Sequence, residues 1–242
     1  VEPAASALLD EELRLPVAVE IADAYATDGA HLARGLTPLD RAGHLRKDEA
    51  WLRAAMESDR TSLLVFNKGR PFLFEDGGGL AVRWLAPQVH AQLGDREQPL
   101  LFLGVDENEA PHFACEIADA EALGDLGIFE ELRPAAARLP GDKLAIIGAA
   151  RAVFEWHGRN RFCANCGAPS RVVEAGWVRK CDACNAEHYP RVDPVCIMVP
   201  TFGDRVFLGR QKAWPRGMHS ALAGFIEPGE AIFVDLNHQL HA

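Results

Sequence analysis

The chain has 242 residues, of which 48% are hydrophobic and 25% charged, a globular composition that excludes a wholly disordered chain. Lys and Arg number 25 against 35 Asp and Glu, and the resulting net charge of -10 counts against a general nucleic-acid binder, which needs cations to neutralise phosphates. No run approaches the length of a membrane-spanning helix, and the acidic start Val1-Glu2-Pro3 has no basic-then-apolar leader pattern. A soluble cytoplasmic protein, not a membrane one, is therefore expected; the missing initiator Met suggests processing or a fragment.

In chain order, the first forty residues mix Ala-rich helical stretches with polar breaks. Lys47 to Glu57 sets Trp51, Leu52 and Met56 among charges, the pattern of a short surface helix. Strands are predicted at Ser62–Phe66, Pro71–Phe74, Leu80–Leu85, Leu100–Val105 and His112–Ile117. They are joined by turns at Asn67-Lys68-Gly69-Arg70 and Glu75-Asp76-Gly77-Gly78-Gly79, so residues 60–117 read as an antiparallel sheet. A helix follows, with Asp142 as a candidate cap and Leu144, Ile147, Ala150, Phe154 and His157 on one face. Val195–Val199 suits a buried strand, and Arg205–Arg210 a second one after the Gly203-Asp204 turn.

Six cysteines narrow the chemistry. Cys163 and Cys166 form one C-x2-C pair, Cys181 and Cys184 a second, with 14 residues between the pairs. Two such turns can offer four thiolates to a tetrahedral Zn2+ and leave no position for water, so the metal is structural. Gly167 permits the tight turn after the first pair. Cys115 and Cys196 stand alone in apolar stretches and read as buried strand residues. Arg159, Arg161, Arg171, Arg179 and Lys180 gather around the module and read as a solvated face.

The second strong signal is Ser220 through Glu230, a strand running into a Gly-punctuated loop with carboxylates at Glu227 and Glu230. Taken with Phe162-Cys163-Ala164-Asn165-Cys166-Gly167, Cys181-Asp182-Ala183-Cys184, Tyr189-Pro190-Arg191 and Phe154-Glu155-Trp156-His157, it resembles the NADH pyrophosphatases of the Nudix hydrolase superfamily.

The resemblance implies an α+β chain of three parts: a β-rich Nudix-like N-terminal domain over residues 1–158, a zinc ribbon over 159–190, and the first strands of an incomplete Nudix α/β/α sandwich over 191–242. It implies hydrolysis of the pyrophosphate bond of NAD(H) to AMP and nicotinamide mononucleotide, and removal of NAD caps from RNA. Structural Zn2+, catalytic Mg2+ or Mn2+ and a homodimer come with it. Carried over by position, Cys163, Cys166, Cys181 and Cys184 would bind zinc. The Ala223 carbonyl would touch the catalytic cation. Tyr189 and Phe225 would stack on the nicotinamide, or else serve as a strand and a loop-core residue. Arg133 would meet a substrate phosphate, or else be a solvated residue at a helix start.

The Nudix signature reads G-x5-E-x7-R-E-U-x-E-E-x-G-U, with U apolar. Gly224 and Glu230 match it, but His238-Gln239-Leu240 stands at R-E-U, and Ala242 at the first residue of the Glu pair. The expectation is a box truncated or frameshifted after Glu230, with impaired catalysis. His238 and His241 make a poor replacement, because Mg2+ prefers oxygen ligands. The other reading is a non-catalytic protein whose ribbon serves dimerisation or ligand binding.

Overall fold

The structure is a computed structural model that describes residues 37–95 and 98–230. The Ala-rich helical stretches expected before residue 37, and His238, Gln239, His241 and Ala242, lie outside the described residues. The chain divides into two compact units, Val1–Pro190 and Arg191–Ala242.

The first unit is built on a six-stranded sheet: β1 (Ser62–Asn67), β2 (Arg70–Asp76), β3 (Gly79–Val82), β4 (Leu101–Val105), β5 (Pro111–Glu116) and β6 (Ile128–Phe129). The order is β3-β2-β1-β5-β4, and β6 also pairs with β2. The β1–β2 turn places both central residues, Lys68 (φ 51°) and Gly69 (φ 74°), in the left-handed region, as a tight hairpin between twisted strands requires.

One pairing corrects the sequence reading. β1 and β5 run parallel, from Ser62 opposite His112 to Phe66 opposite Glu116, so the sheet is mixed and not antiparallel throughout. The reason is visible in β1 itself. Leu63 to Phe66 is an unbroken apolar run with every residue buried, which suits a central strand covered on both faces.

Those covers are helices. Leu63 and Val65 point to one face, where they cluster with Phe72, Phe102, Phe113 and Cys115 against Trp51, Leu52 and Ala55 of α1 (Glu49–Glu57). Leu64 and Phe66 point to the other, where Leu73, Leu80, Leu101 and Ala114 meet the long helix. Between the early strands lies α2 (Gln88–Leu93), and after β6 come α3 (Leu132–Ala135) and the long α4 (Gly141–Arg159). α4 packs Ile146, Ile147, Ala150, Val153 and Phe154 onto the sheet. Each large side chain so buried contributes roughly 1.5–3 kcal/mol.

The two helix starts differ. Asp48 caps α1 through a 2.9 Å bond from the Trp51 N–H to its carboxylate. Asp142 does not cap α4: Pro140 holds the cap position without a side-chain bond, and Asp142 sits in the first turn, paired with Lys143 at 3.0 Å.

The cysteine module is a three-stranded sheet, β7 (Ser170–Val173), β8 (Val178–Cys181) and β9 (Glu187–His188), in that order. Its β7–β8 turn is seated on the edge of the larger sheet. Trp177 donates its indole N–H to the Phe102 carbonyl at 2.6 Å, and the Arg46 guanidinium lies 4.1 Å from the centre of its ring. Lys47 pairs with Glu174 at 3.0 Å. Gly176 (φ +91°) lies so close to β4 that an added Cβ would come within 2.9 Å of Leu101 Cδ1 and 3.0 Å of the Leu100 carbonyl.

A buried polar joint completes the seating. Arg179 of β8, only 8% exposed, donates from Nε to Ser170 Oγ (2.9 Å), from Nη2 to the Ser170 carbonyl (2.6 Å) and from Nη1 to His157 Nδ1 (3.1 Å). His157, on the last turn of α4 and 2% exposed, donates from Nε2 to the Gly176 carbonyl at 2.7 Å. That carbonyl can only accept and the guanidinium can only donate, so the imidazole is neutral and protonated on Nε2. Burial, together with the nearby Arg179 charge, pushes the His157 pKa down to about 4.

In the second unit, β10 (Val195–Met198) pairs antiparallel with β13 (Leu222–Phe225), and β11 (Thr201–Phe202) with β12 (Arg205–Val206). The strand read as Arg205–Arg210 therefore keeps only its first two residues as strand, with Gly209 forming a single bridge to Ser220. Cys196 points inward, whereas Ile197 and Phe225 are about 70% exposed.

Two stability predictions arise from the ribbon's seating. Gly176→Ala adds a Cβ in the left-handed region against β4 backbone, and should cost about 2 kcal/mol or more in urea denaturation. For His157, the folded pKa of about 4 lies below the unfolded value, so an acidified unfolded chain takes up the proton first. The stability contributed by the neutral ring is complete above the unfolded pKa of roughly 6.5 and is lost as pH falls toward the folded one. Between pH 7 and 4 the wild type should lose about 2–3 kcal/mol more than His157→Gln, measured by urea denaturation at each pH.

Candidate metal centre and surrounding residues

The two C-x2-C turns bring their sulfurs together. The ligand atoms of Cys163, Cys166, Cys181 and Cys184 all lie within 4.8 Å of one another. Cys163 and Cys184 are separated by 3.6 Å between sulfurs, and Cys166 and Cys181 by 3.5 Å. A tetrahedron with Zn–S bonds of about 2.3 Å has edges of about 3.8 Å, so the four thiols fit Zn2+ with little adjustment.

The two turns are near copies. The Cys163 N–H donates to the Ala168 carbonyl and the Gly167 N–H to the Cys163 carbonyl; the Cys181 N–H donates to Ala186 and the Asn185 N–H to Cys181, all at 2.8–2.9 Å. Gly167 (φ 75°) and Asn185 (φ 59°) each stand four residues after the first cysteine, in the left-handed region. Asn tolerates that region better than most residues, which is why the second turn works without Gly. The sequence reading found Gly167 and missed Asn185, although the equal offset from each cysteine carried the signal.

The thiols are not equivalent without metal. The Ala186 N–H and the Asn165 side-chain amide draw Cys184 down to about 6. Cys166 accepts from the Ala168 N–H, yet the surrounding thiols push it up to about 12. Burial apart, the two thiols are thus biased in opposite directions, Cys166 toward the protonated form and Cys184 toward the thiolate, and a bound Zn2+ requires all four as thiolates. Cys115 lies outside this chemistry: buried in β5, its thiol is pushed up to about 12 by desolvation.

Around the ribbon, the five basic residues do not form one solvated face. Arg179 is buried in the joint with His157. Arg159 pairs with Glu155, Arg171 with Asp182 at 2.9 Å, and Lys180 with Glu187 at 3.6 Å. An open cleft of about 450 Å³ borders the ribbon, and there Arg46, Lys47, Arg171 and Lys180 alternate with Glu49, Glu174 and Glu187. Its charge is therefore largely compensated.

The other candidate residues are dispersed. Tyr189 follows β9 and is 58% exposed, and its hydroxyl donates to Glu187 at 2.8 Å, which raises the phenol pKa above its ordinary value. Arg133 is exposed on α3 and has no ion pair among the described residues. In the second unit, Ala223 faces Ile197 across the β10–β13 ladder, and Phe225 ends β13 opposite Val195 with 70% of its surface exposed. Glu230 turns a carboxylate oxygen back to the Glu227 N–H at 3.0 Å. Gln239 and Ala242 fall outside the described residues. No helix among the described residues is long and apolar enough to cross a membrane.

Comparison with known proteins gives this arrangement a family. Residues 60–156 match the NADH pyrophosphatase-like rudimentary NUDIX domain, and residues 159–189 the NADH pyrophosphatase zinc ribbon domain. Nudix hydrolase 19, chloroplastic, of Arabidopsis thaliana is 36% identical over 70% of this chain and 45% of its own length. NAD-capped RNA hydrolase NUDT12 of Homo sapiens is 32% identical over 81% of this chain and 52% of its own length. NAD-capped RNA hydrolase NudC of Mycobacterium tuberculosis is 34% identical, over 81% of this chain and 61% of its own. The chain thus spans about half the length of the curated relatives it matches. Through its rudimentary Nudix sheet and its four-cysteine ribbon, the chain belongs to the NADH pyrophosphatase family of Nudix hydrolases.

Proposed function

We propose that the chain belongs to a protein that cleaves the pyrophosphate bond of NAD(H), free or as the 5′ cap of an RNA, to AMP and nicotinamide mononucleotide. The observation that carries this reading is the four-thiol ribbon, seated on a Nudix-like sheet and followed by the Gly224–Glu230 half of the signature. Relatives whose names specify NAD-capped RNA hydrolysis or NAD(P)H pyrophosphatase activity support the substrate class.

In this proposal Tyr189 and Phe225 each offer an exposed aromatic face on which a nicotinamide ring can stack, and Arg133 offers a cation to a phosphate. Zinc is structural. The hydrolytic step in the family calls on Mg2+ or Mn2+, which neutralises the diphosphate and activates water. This chain's residues fit such an ion poorly. Glu230 and the Ala223 carbonyl supply oxygens, but Gln239 and Ala242 place an amide and a methyl where carboxylates are needed. That mismatch favours impaired turnover for these 242 residues, with dinucleotide binding or dimerisation through the zinc ribbon as the retained role. A cytoplasmic homodimer belongs to the same proposal.

The test is to incubate the zinc-loaded chain with NADH and Mn2+ or Mg2+, follow AMP by chromatography, and measure NADH binding by fluorescence. The expected result is binding that Tyr189→Ala or Phe225→Ala weakens about 2–10-fold, the worth of one aromatic contact, with no AMP above a metal-free control. Absence of NADH binding would overturn the dinucleotide reading. Metal-dependent AMP release would overturn the impaired site and mean that other carboxylates hold the ion.

A further inference from the structure

Zn2+ held by four thiolates carries two surplus negative charges, and the protein around it must offset them with N–H donors. Backbone N–H groups do part of this, including that of Asn165, 3.4 Å from Cys163 Sγ. Two side chains also touch ligand sulfurs: Asn165 Nδ2 lies 3.6 Å from Cys184 Sγ, and His188 Nε2 lies 3.2 Å from Cys163 Sγ.

These two contacts run in opposite directions between the cysteine turns. Asn165 belongs to the first turn and reaches a sulfur of the second. His188 follows the second turn and reaches a sulfur of the first. Both depart from the near-copy relation of the turns. Asn165 stands two residues after Cys163, where the second turn has Ala183; His188 stands seven after Cys181, where the first has Ser170. Ser170 is spent on a different task, holding the Arg179 guanidinium. His188 is therefore not required by the fold of a cysteine turn, and its contact with Cys163 calls for another explanation.

The chemistry of the contact fixes its direction. A metal-bound thiolate has no proton to give, so Cys163 Sγ accepts and the imidazole donates from Nε2. Cys163 is 3% exposed, so little water competes for that lone pair.

We propose that His188 is an outer-shell donor to the zinc centre: its imidazole N–H holds the Cys163 thiolate, braces one cysteine turn against the other, and raises the affinity for the metal. His188 is thus a positioning residue, acting through Cys163 and not as a fifth ligand. Because it ends β9, the same bond anchors the strand from which Tyr189 emerges. The proposal rests on the zinc-ribbon reading and is independent of whether the chain hydrolyses a dinucleotide.

The test uses the full chain, with zinc affinity measured by competition against a chromogenic chelator and the ligand set read from the Co2+-substituted protein. His188→Ala should weaken zinc binding 10–100-fold, the range for an outer-shell partner. His188→Gln keeps an N–H at similar reach and should recover most of that loss. The Co2+ spectra of wild type and both variants should carry the sulfur-to-metal intensity of four thiolates. Wild-type affinity in His188→Ala would overturn the proposal, as would an equal loss in the Ala and Gln variants. A wild-type Co2+ spectrum with only three thiolates would also overturn it, by making His188 a ligand. Should His188→Ala fail to fold, full affinity in His188→Gln supports the donor role and a loss there of more than tenfold refutes it.

Discussion

The Arg179 guanidinium is a cation removed from water without a carboxylate to meet it among the described residues. Such a charge is tolerable only where its donors are occupied by well-placed acceptors. Here they are the hydroxyl and carbonyl of Ser170 and one nitrogen of His157, and the two residues that supply them come from different pieces of structure. Ser170 opens β7 and His157 lies on the last turn of α4, so the guanidinium fixes the ribbon's first strand to the helix that covers the large sheet. His157 can accept from Arg179 only while it is neutral, and its Nε2–H then goes to Gly176, at the turn pressed against β4. One chain of hydrogen bonds thereby joins α4, β7, β8 and the turn that packs against the sheet edge. Loss of any member leaves the others buried and unpaired, which costs more than the bond itself.

The metal centre carries the other side of the ribbon. About thirty residues in three short strands cannot bury enough apolar surface to order themselves, and a structural zinc supplies the deficit in small modules. The division of labour follows position. Near β4 the ribbon is held by Trp177 and Gly176 against a sheet that has its own core, and by Arg179 against the His157 end of α4. At the cysteine turns, the described contacts are within the ribbon itself, thiol to thiol and N–H to sulfur. The first set ties the ribbon to the rest of the unit; the second decides its internal shape.

What the sequence made legible was whatever depends on local spacing. Two C-x2-C pairs define a metal site because a turn of fixed length presents its thiols in a fixed way, and the apolar positions of α4 repeat at the helical period over many turns. What it concealed depends on partners remote in the chain. Arg179 reads as one of five ribbon cations, and only the arrival of His157, 22 residues earlier, makes it a buried one. The parallel β1–β5 pair was hidden because adjacent hairpins suggest antiparallel pairing, and the apolar run Leu63–Phe66, although it marks a strand buried on both faces, does not say which remote strand lies beside it. Asp142 was read as a cap from residue type, but Pro140 fixes its own φ and takes the cap position first. His188 stood outside the C-x2-C spacing that a ligand search follows, and its relation to Cys163 is purely spatial.

Under the proposed function, two metal chemistries with opposite demands meet in the family's fold. Zinc is satisfied by soft thiolates, and all four are present, clustered and surrounded by N–H donors. A cation that manages a diphosphate wants hard oxygen ligands, and it commonly uses one or two carboxylates together with oxygens of the substrate itself. Glu230 is such a carboxylate, but it already accepts from the Glu227 N–H, and the next positions of the signature hold Gln239 and Ala242. The two sets also belong to different compact units, the thiols before Pro190 and the oxygens after Arg191. The completeness of the zinc site is therefore no measure of the proposed hydrolytic one: the thiols answer to the stability of the ribbon, whereas carboxylates in the proposed site would answer to turnover.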